Sequence, residues 1–154
     1  MIITLFILAL ISFFVDVTTL YIYGYHATSM LLCVYLYTLI YLPHQWLLLG
    51  SIGCLLYTQD VVIFGHAGIQ LLYLLPLTVL SYALSRVMYP NRYQLVITAV
   101  AAGALQALFI KRFLQGYHID GCYTVETIYG ILIGIFLISL IVRLSGLLGN
   151  RIRV

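Results

Sequence analysis

The sequence predicts an all-α, polytopic membrane bundle of six transmembrane helices. Three observations carry that expectation. Hydrophobic residues make up 64% of the 154-residue chain and charged residues only 7%, whereas a soluble domain carries roughly 25% charged and about 45–50% apolar residues. The apolar residues fall in continuous runs and do not alternate, which favours helices over a transmembrane barrel. Backbone in hydrocarbon must satisfy its own N–H and C=O groups, and a helix does so within one segment. So few charges could not cover a water-facing surface, and so much hydrophobicity does not suit disorder. At about 20 residues per crossing, six spans use roughly 120 residues. A single integral-membrane domain over 1–154 is therefore expected, with no separate catalytic domain.

The elements follow in order. The first span is expected over 2–22. It reads as retained, because MIITLFILALISFFV has no basic segment before it and no small-residue cleavage site after it. Tyr23-Gly24-Tyr25-His26 breaks that run, and a second span over 28–42 ends at Leu42-Pro43-His44. The third span, 45–60, is short and reads as tilted or partly re-entrant. The stretch from Asp60 to Gly68 separates it from a fourth span over 68–89. There Pro76 removes one backbone donor and predicts a kink. Tyr89-Pro90-Asn91-Arg92 is a turn. A fifth span over 94–112 precedes the longest polar stretch, Gln115 to Thr124, and a sixth covers 126–148. No internal repeat is visible.

Orientation follows from the basic residues. With six spans, Arg86, Arg92, Arg143, Arg151 and Arg153 share one side with both termini, and Lys111 and Arg112 lie on the other. The excess puts both termini in the cytoplasm. Trp46, Tyr21, Tyr89, Tyr93 and Tyr117 fall near the expected interfaces, where amphipathic rings settle. The basic residues behind the net charge of +3 sit at span ends, where they set topology, and they give no indication of nucleic acid.

Chemistry is sparse. Cys33, Cys54 and Cys122 have no metal-ligand spacing and read as small hydrophobes, without a disulfide framework. His26, His66 and His118 share the expected outer side with Asp16, Asp60 and Asp120. They could gather at a metal or proton site, but solvated loop residues are the expected reading. No Gly-x-Ser-x-Gly, Ser-Lys or Cys-His pair offers a nucleophile. No catalytic, cofactor-binding or metal residue is therefore assigned, and no enzyme is expected. The acids lie near span ends, and Asp60 reads as an interfacial helix end. Arg143 lies near the end of the sixth span, where its long side chain snorkels to the interface.

Small residues are more informative. Gly130 and Gly134 make a GxxxG spacing in the sixth span. Ala99, Gly103 and Ala107 step by four in the fifth, and Ser81 and Ser85 do so in the fourth. Such ridges let helix backbones approach closely. They serve packing within the bundle or docking of a partner's membrane helix.

The middle of the chain resembles a known family. Leu42-Pro43-His44 closes a span, Gly50 and Gly53 follow in the next, Asp60 ends that span, and Gly68 opens a long apolar helix. Over about residues 30–100 this resembles the rod-shape-determining protein MreD family of bacterial inner-membrane proteins. The resemblance implies an S-component-like six-span fold, with Asp60 and Gly68 as its motif positions. It also implies a non-enzymatic scaffold without cofactors, coupling the MreB cytoskeleton through a single-span MreC-like partner to the peptidoglycan synthesis complex. The alternative is a substrate-binding S component of an energy-coupling-factor vitamin transporter, with Asp16, His26, Asp60, His66 and His118 available to a ligand. Against that alternative, the first span lacks an Ala-x-x-x-Ala ridge, since Phe13 follows Ala9.

Overall fold

The computed structural model describes residues 2–23, 29–42, 44–64, 69–87, 92–113 and 121–151. All regular structure among them is helical: α1 (Ile2–Tyr23), α2 (Met30–Tyr41), α3 (Trp46–Phe64), α4 (Ile69–Val87), α5 (Arg92–Phe113) and α6 (Gly121–Arg151). No strand occurs among the described residues.

The helices form a ring around a hub. α1 packs on α3, α3 on α4, α4 on α5, α5 on α6, and α6 closes back on α1 through the least extensive contact of the ring. α2 touches all five. Every side chain from Leu31 to Ile40 is buried. A helix apolar on all sides must be surrounded either by lipid or by protein, and here protein surrounds it.

Each ring helix turns one stripe inward. On α1 the buried residues are Leu5, Ala9, Ser12 and Asp16, and on α3 they are Leu48, Leu49, Ile52, Leu56, Gln59 and Asp60. Steps of three and four keep such positions on one helical face. The α6 stripe runs through Thr127, Ile131, Gly134, Ile135, Ile138 and Val142. The opposite faces are apolar too: Phe14, Val79 and Phe136 are 67%, 69% and 68% exposed.

Two expectations need correction. The short segment is α2 and not the third span: α2 has 12 residues and α3 has 19. α3 continues to Phe64 because Gln59 and Asp60 extend its buried face and do not end the helix. At about 1.5 Å per residue α2 is roughly 18 Å long, well short of a hydrocarbon core of about 30 Å. By length and composition, the segments Ile2–Thr19 and Val125–Gly146 suffice to cross a membrane. Pro76 lies within α4 on an exposed face, and the helix continues through it.

Among the described side chains, acids and arginines gather at opposite ends of the bundle. Asp16 and Asp60 lie toward the ends of α1 and α3 that meet the start of α2, and Glu126 lies near the start of α6. Arg86 and Arg143 lie toward the other end. There Trp46 at the start of α3 meets Tyr82 with ring centroids 6.2 Å apart, and Arg86 stacks on Tyr82 with its guanidinium carbon 4.9 Å from the ring centre.

Candidate functional site

The most organised polar site lies where α1 meets the start of α2. A helix leaves its first four N–H groups without partners inside the helix, and here Leu31, Leu32 and Cys33 are fully buried, so protein groups must supply theirs. Ser29 is the N-cap, in an extended conformation, and its Oγ accepts from Leu32 N at 3.1 Å. The Asp16 carboxylate reaches across from α1. Oδ1 accepts from Met30 N at 2.8 Å, and Oδ2 accepts from Leu31 N at 2.8 Å and from the Ser29 hydroxyl at 2.7 Å. These three donors converge on two oxygens that only accept, the geometry of a carboxylate. Its negative charge also faces the positive end of the α2 dipole. Asp16 is 4% exposed. The expectation that this acid sits among solvated residues of the outer side is therefore overturned: its polar partners are protein.

Gln59 approaches Asp16 from α3. It is fully buried, and neither its amide nitrogen nor its amide oxygen completes a hydrogen bond. Asp60 follows it and is 0% exposed, with α3 continuing to Phe64, so the reading of Asp60 as a helix end is overturned. The physical reason is periodicity: positions 59 and 60 continue the face of Ile52 and Leu56. Among the described residues no group of three His, Cys, Asp or Glu side chains could hold a metal. His26, His66, His118, Asp120, Cys122 and the motif glycine Gly68 lie outside the described residues and side chains.

The small residues make close helix contacts inside the chain. A Cβ built on Gly134 would lie 2.5 Å from Cys33 Sγ and 3.1 Å from Cys33 Cβ, so α6 and α2 meet there with no room for a side chain. A Cβ on Gly103 would lie 2.5 Å from Ile128 Cγ1, the equivalent contact between α5 and α6. Ala99 is fully buried and Gly130 half-buried. The side chain of Ala107 is not among those described.

Among the described residues, crevices open between helices at two places. One, of about 410 Å³, lies between α2, α3 and α4 and is lined by Tyr35, Trp46, Gly50, Gly53, Tyr57 and Thr78 among others. Gly50 and Gly53 face open space, since a Cβ at either would meet nothing within 4 Å. At its wall the Tyr35 and Thr78 hydroxyls are 2.9 Å apart, and Thr78 also donates to Leu74 O at 2.7 Å. Tyr35→Phe leaves Thr78 its backbone partner, so a loss of no more than about 1 kcal/mol is expected, measured by detergent-driven unfolding. The other crevice, of about 550 Å³, lies between the end of α2, the start of α5 and the second half of α6, and Arg143 lines it.

Comparison with protein-family models, with characterised proteins and with solved structures gives no match to this chain.

Proposed function

We propose that this chain is an integral-membrane, non-enzymatic scaffold, a helical hub-and-ring that holds other membrane helices in place. One observation carries this. The ring helices turn large apolar side chains outward, with Phe14, Val79 and Phe136 about two-thirds exposed, around a hub that is itself sealed. A contiguous apolar exterior of this extent is unstable in water and suits lipid or a partner helix. The charge asymmetry agrees. Arg86 and Arg143 lie toward one end and the buried acids toward the other, which suits a cytoplasmic basic side and cytoplasmic termini. Within this proposal all six helices are embedded. The short α2 lies inside the ring, where protein replaces lipid around it.

The narrower role comes from the resemblance to the MreD family over about residues 30–100. In that reading the chain sits in the bacterial inner membrane and holds a single-span MreC-like partner within the cell-elongation machinery beside peptidoglycan synthesis. A vitamin-binding S component is the second reading, favoured by the unsatisfied Gln59 amide at the expected outer end. Asp16 speaks against it, because both its oxygens are already engaged by Ser29 and the first turn of α2.

The test uses native membranes. After alkaline carbonate washing the chain is expected in the pellet, and crosslinking is expected to join it to a single-span protein that co-purifies with it. Release into the supernatant would end the membrane proposal. A vitamin-sized molecule retained through purification, with no crosslinked partner, would replace the scaffold by the transporter component.

A further inference from the structure

The crevice at the basic end of the bundle has a graded lining. Leu132, Ile135, Phe136, Ser139 and Arg143 of α6 face it at steps of three, one, three and four residues, so they lie on one helical face. The first three are apolar and the last two are polar. Leu95 and Val96 of α5 extend the apolar part, and Tyr41 closes α2 beside it. Tyr37 lies near Ser139 and Arg143 and stacks on Tyr41 with ring centroids 4.7 Å apart.

Arg143 is exposed, and among the described residues no acidic side chain pairs with it. The buried acids are at the far end of the bundle. A guanidinium near the end of an apolar segment needs an anion or water, and its planar donor fork matches a phosphate. Val125–Gly146 is the apolar stretch of α6. Arg143 lies three residues inside its end, about 4.5 Å at the helical rise, within reach of the headgroup level. Under the membrane proposal, the crevice therefore offers a cation at the depth of lipid phosphates and an apolar track leading inward from it.

We infer that this crevice binds an anionic phospholipid, with the phosphate on Arg143 and Ser139 and one acyl chain along Phe136 and Leu132. The inference rests on the membrane reading above and adds a ligand to it. Among the described residues, the companion crevice at Gly50 and Gly53 has no charged side chain in its lining.

The experiment is native mass spectrometry of the detergent-purified chain titrated with phosphatidylglycerol, with phosphatidylcholine, and with phosphatidylglycerol in the presence of inorganic phosphate. Phosphatidylglycerol adducts are expected to exceed phosphatidylcholine adducts and to survive millimolar phosphate. Arg143→Gln is expected to lower the apparent affinity for phosphatidylglycerol about fivefold, the factor for one basic side chain at an anionic surface. Arg143→Lys is expected to restore part of it, and helical circular dichroism of both variants should match the parent. Equal phosphatidylglycerol binding by the parent and Arg143→Gln would overturn the inference, and so would displacement by inorganic phosphate, which would mark a free-anion site. Carbonate washing of Arg143→Gln membranes separates the two layers. A variant that stays in the pellet but binds lipid normally defeats the lipid site alone, whereas a parent chain that washes out defeats the membrane proposal.

Discussion

Asp16→Ala is expected to be the most damaging single substitution in the chain, costing roughly 3 kcal/mol or more by the desolvation penalty of each buried donor left unpaired. Removing the carboxylate strands the Ser29 hydroxyl and the N–H of Leu31, both in buried residues, and frees Met30 N. These groups belong to the first turn of α2, the helix every other helix packs against, so the loss is felt throughout the bundle. Asp16→Asn keeps one acceptor oxygen but turns an NH2 toward donors, and an intermediate loss is expected. Ser29→Ala removes the cap of Leu32 N but leaves Asp16 on Met30 and Leu31, and about 1 kcal/mol is expected. The order alanine, asparagine, then Ser29→Ala, read from detergent-driven unfolding followed by helical circular dichroism, is the signature of capping across helices. A result for Asp16→Ala within about 0.5 kcal/mol of the parent, the range of ordinary surface changes, would show that the carboxylate does not hold α2.

That site also marks where reading the sequence stops. The helix positions are legible because long apolar runs and Gly/Pro punctuation set them, and α1 and α4 end within two residues of the expected bounds. α3 is misjudged because the stretch from Asp60 to Gly68 reads as a break that begins at a charged residue. Its periodicity, continuing Ile52 and Leu56, tells the other story. The partnership of Asp16 with residues 29–31 depends on how the chain returns between α1 and α2, and no local pattern encodes it. A partial signal exists, since Ser12 and Asp16 continue the stripe of Leu5 and Ala9, and a polar residue within an apolar span faces protein. The hub role of α2 is hidden for a different reason. Its sequence, MLLCVYLYTLIY, is apolar on every side, so pattern alone does not distinguish lipid around it from helices around it. The small residues are legible as sites of close approach, but which helix each one meets is a tertiary fact.

Gly134 gives the second large effect. Gly134→Ala puts a methyl 2.5 Å from Cys33 Sγ and 3.1 Å from its Cβ. Cys33 is fully buried, and a short thiol has little room to swing aside. Either α6 moves off α2 or Cys33 leaves its rotamer, and overpacking of this kind costs about 1–3 kcal/mol. Gly134→Leu forces a larger separation and is expected to cost more, with lowered thermal stability of the purified chain. Two further variants show that the contact, and no general effect of glycine, is responsible. Gly146 lies on the same helix and a Cβ there meets nothing within 4 Å, so Gly146→Ala should be neutral or stabilising by up to about 1 kcal/mol, the helix-propensity difference. Cys33→Ala removes the Sγ that the new methyl would strike. The double variant should therefore recover much of the loss, giving a favourable coupling of about 0.5 kcal/mol or more. If Gly134→Ala and Cys33→Ala prove additive, the close approach of α6 to α2 is not what keeps position 134 free of a side chain. If they couple as expected, the GxxxG ridge is engaged inside the bundle, and partners must dock on the outward faces that Phe14, Val79 and Phe136 leave exposed.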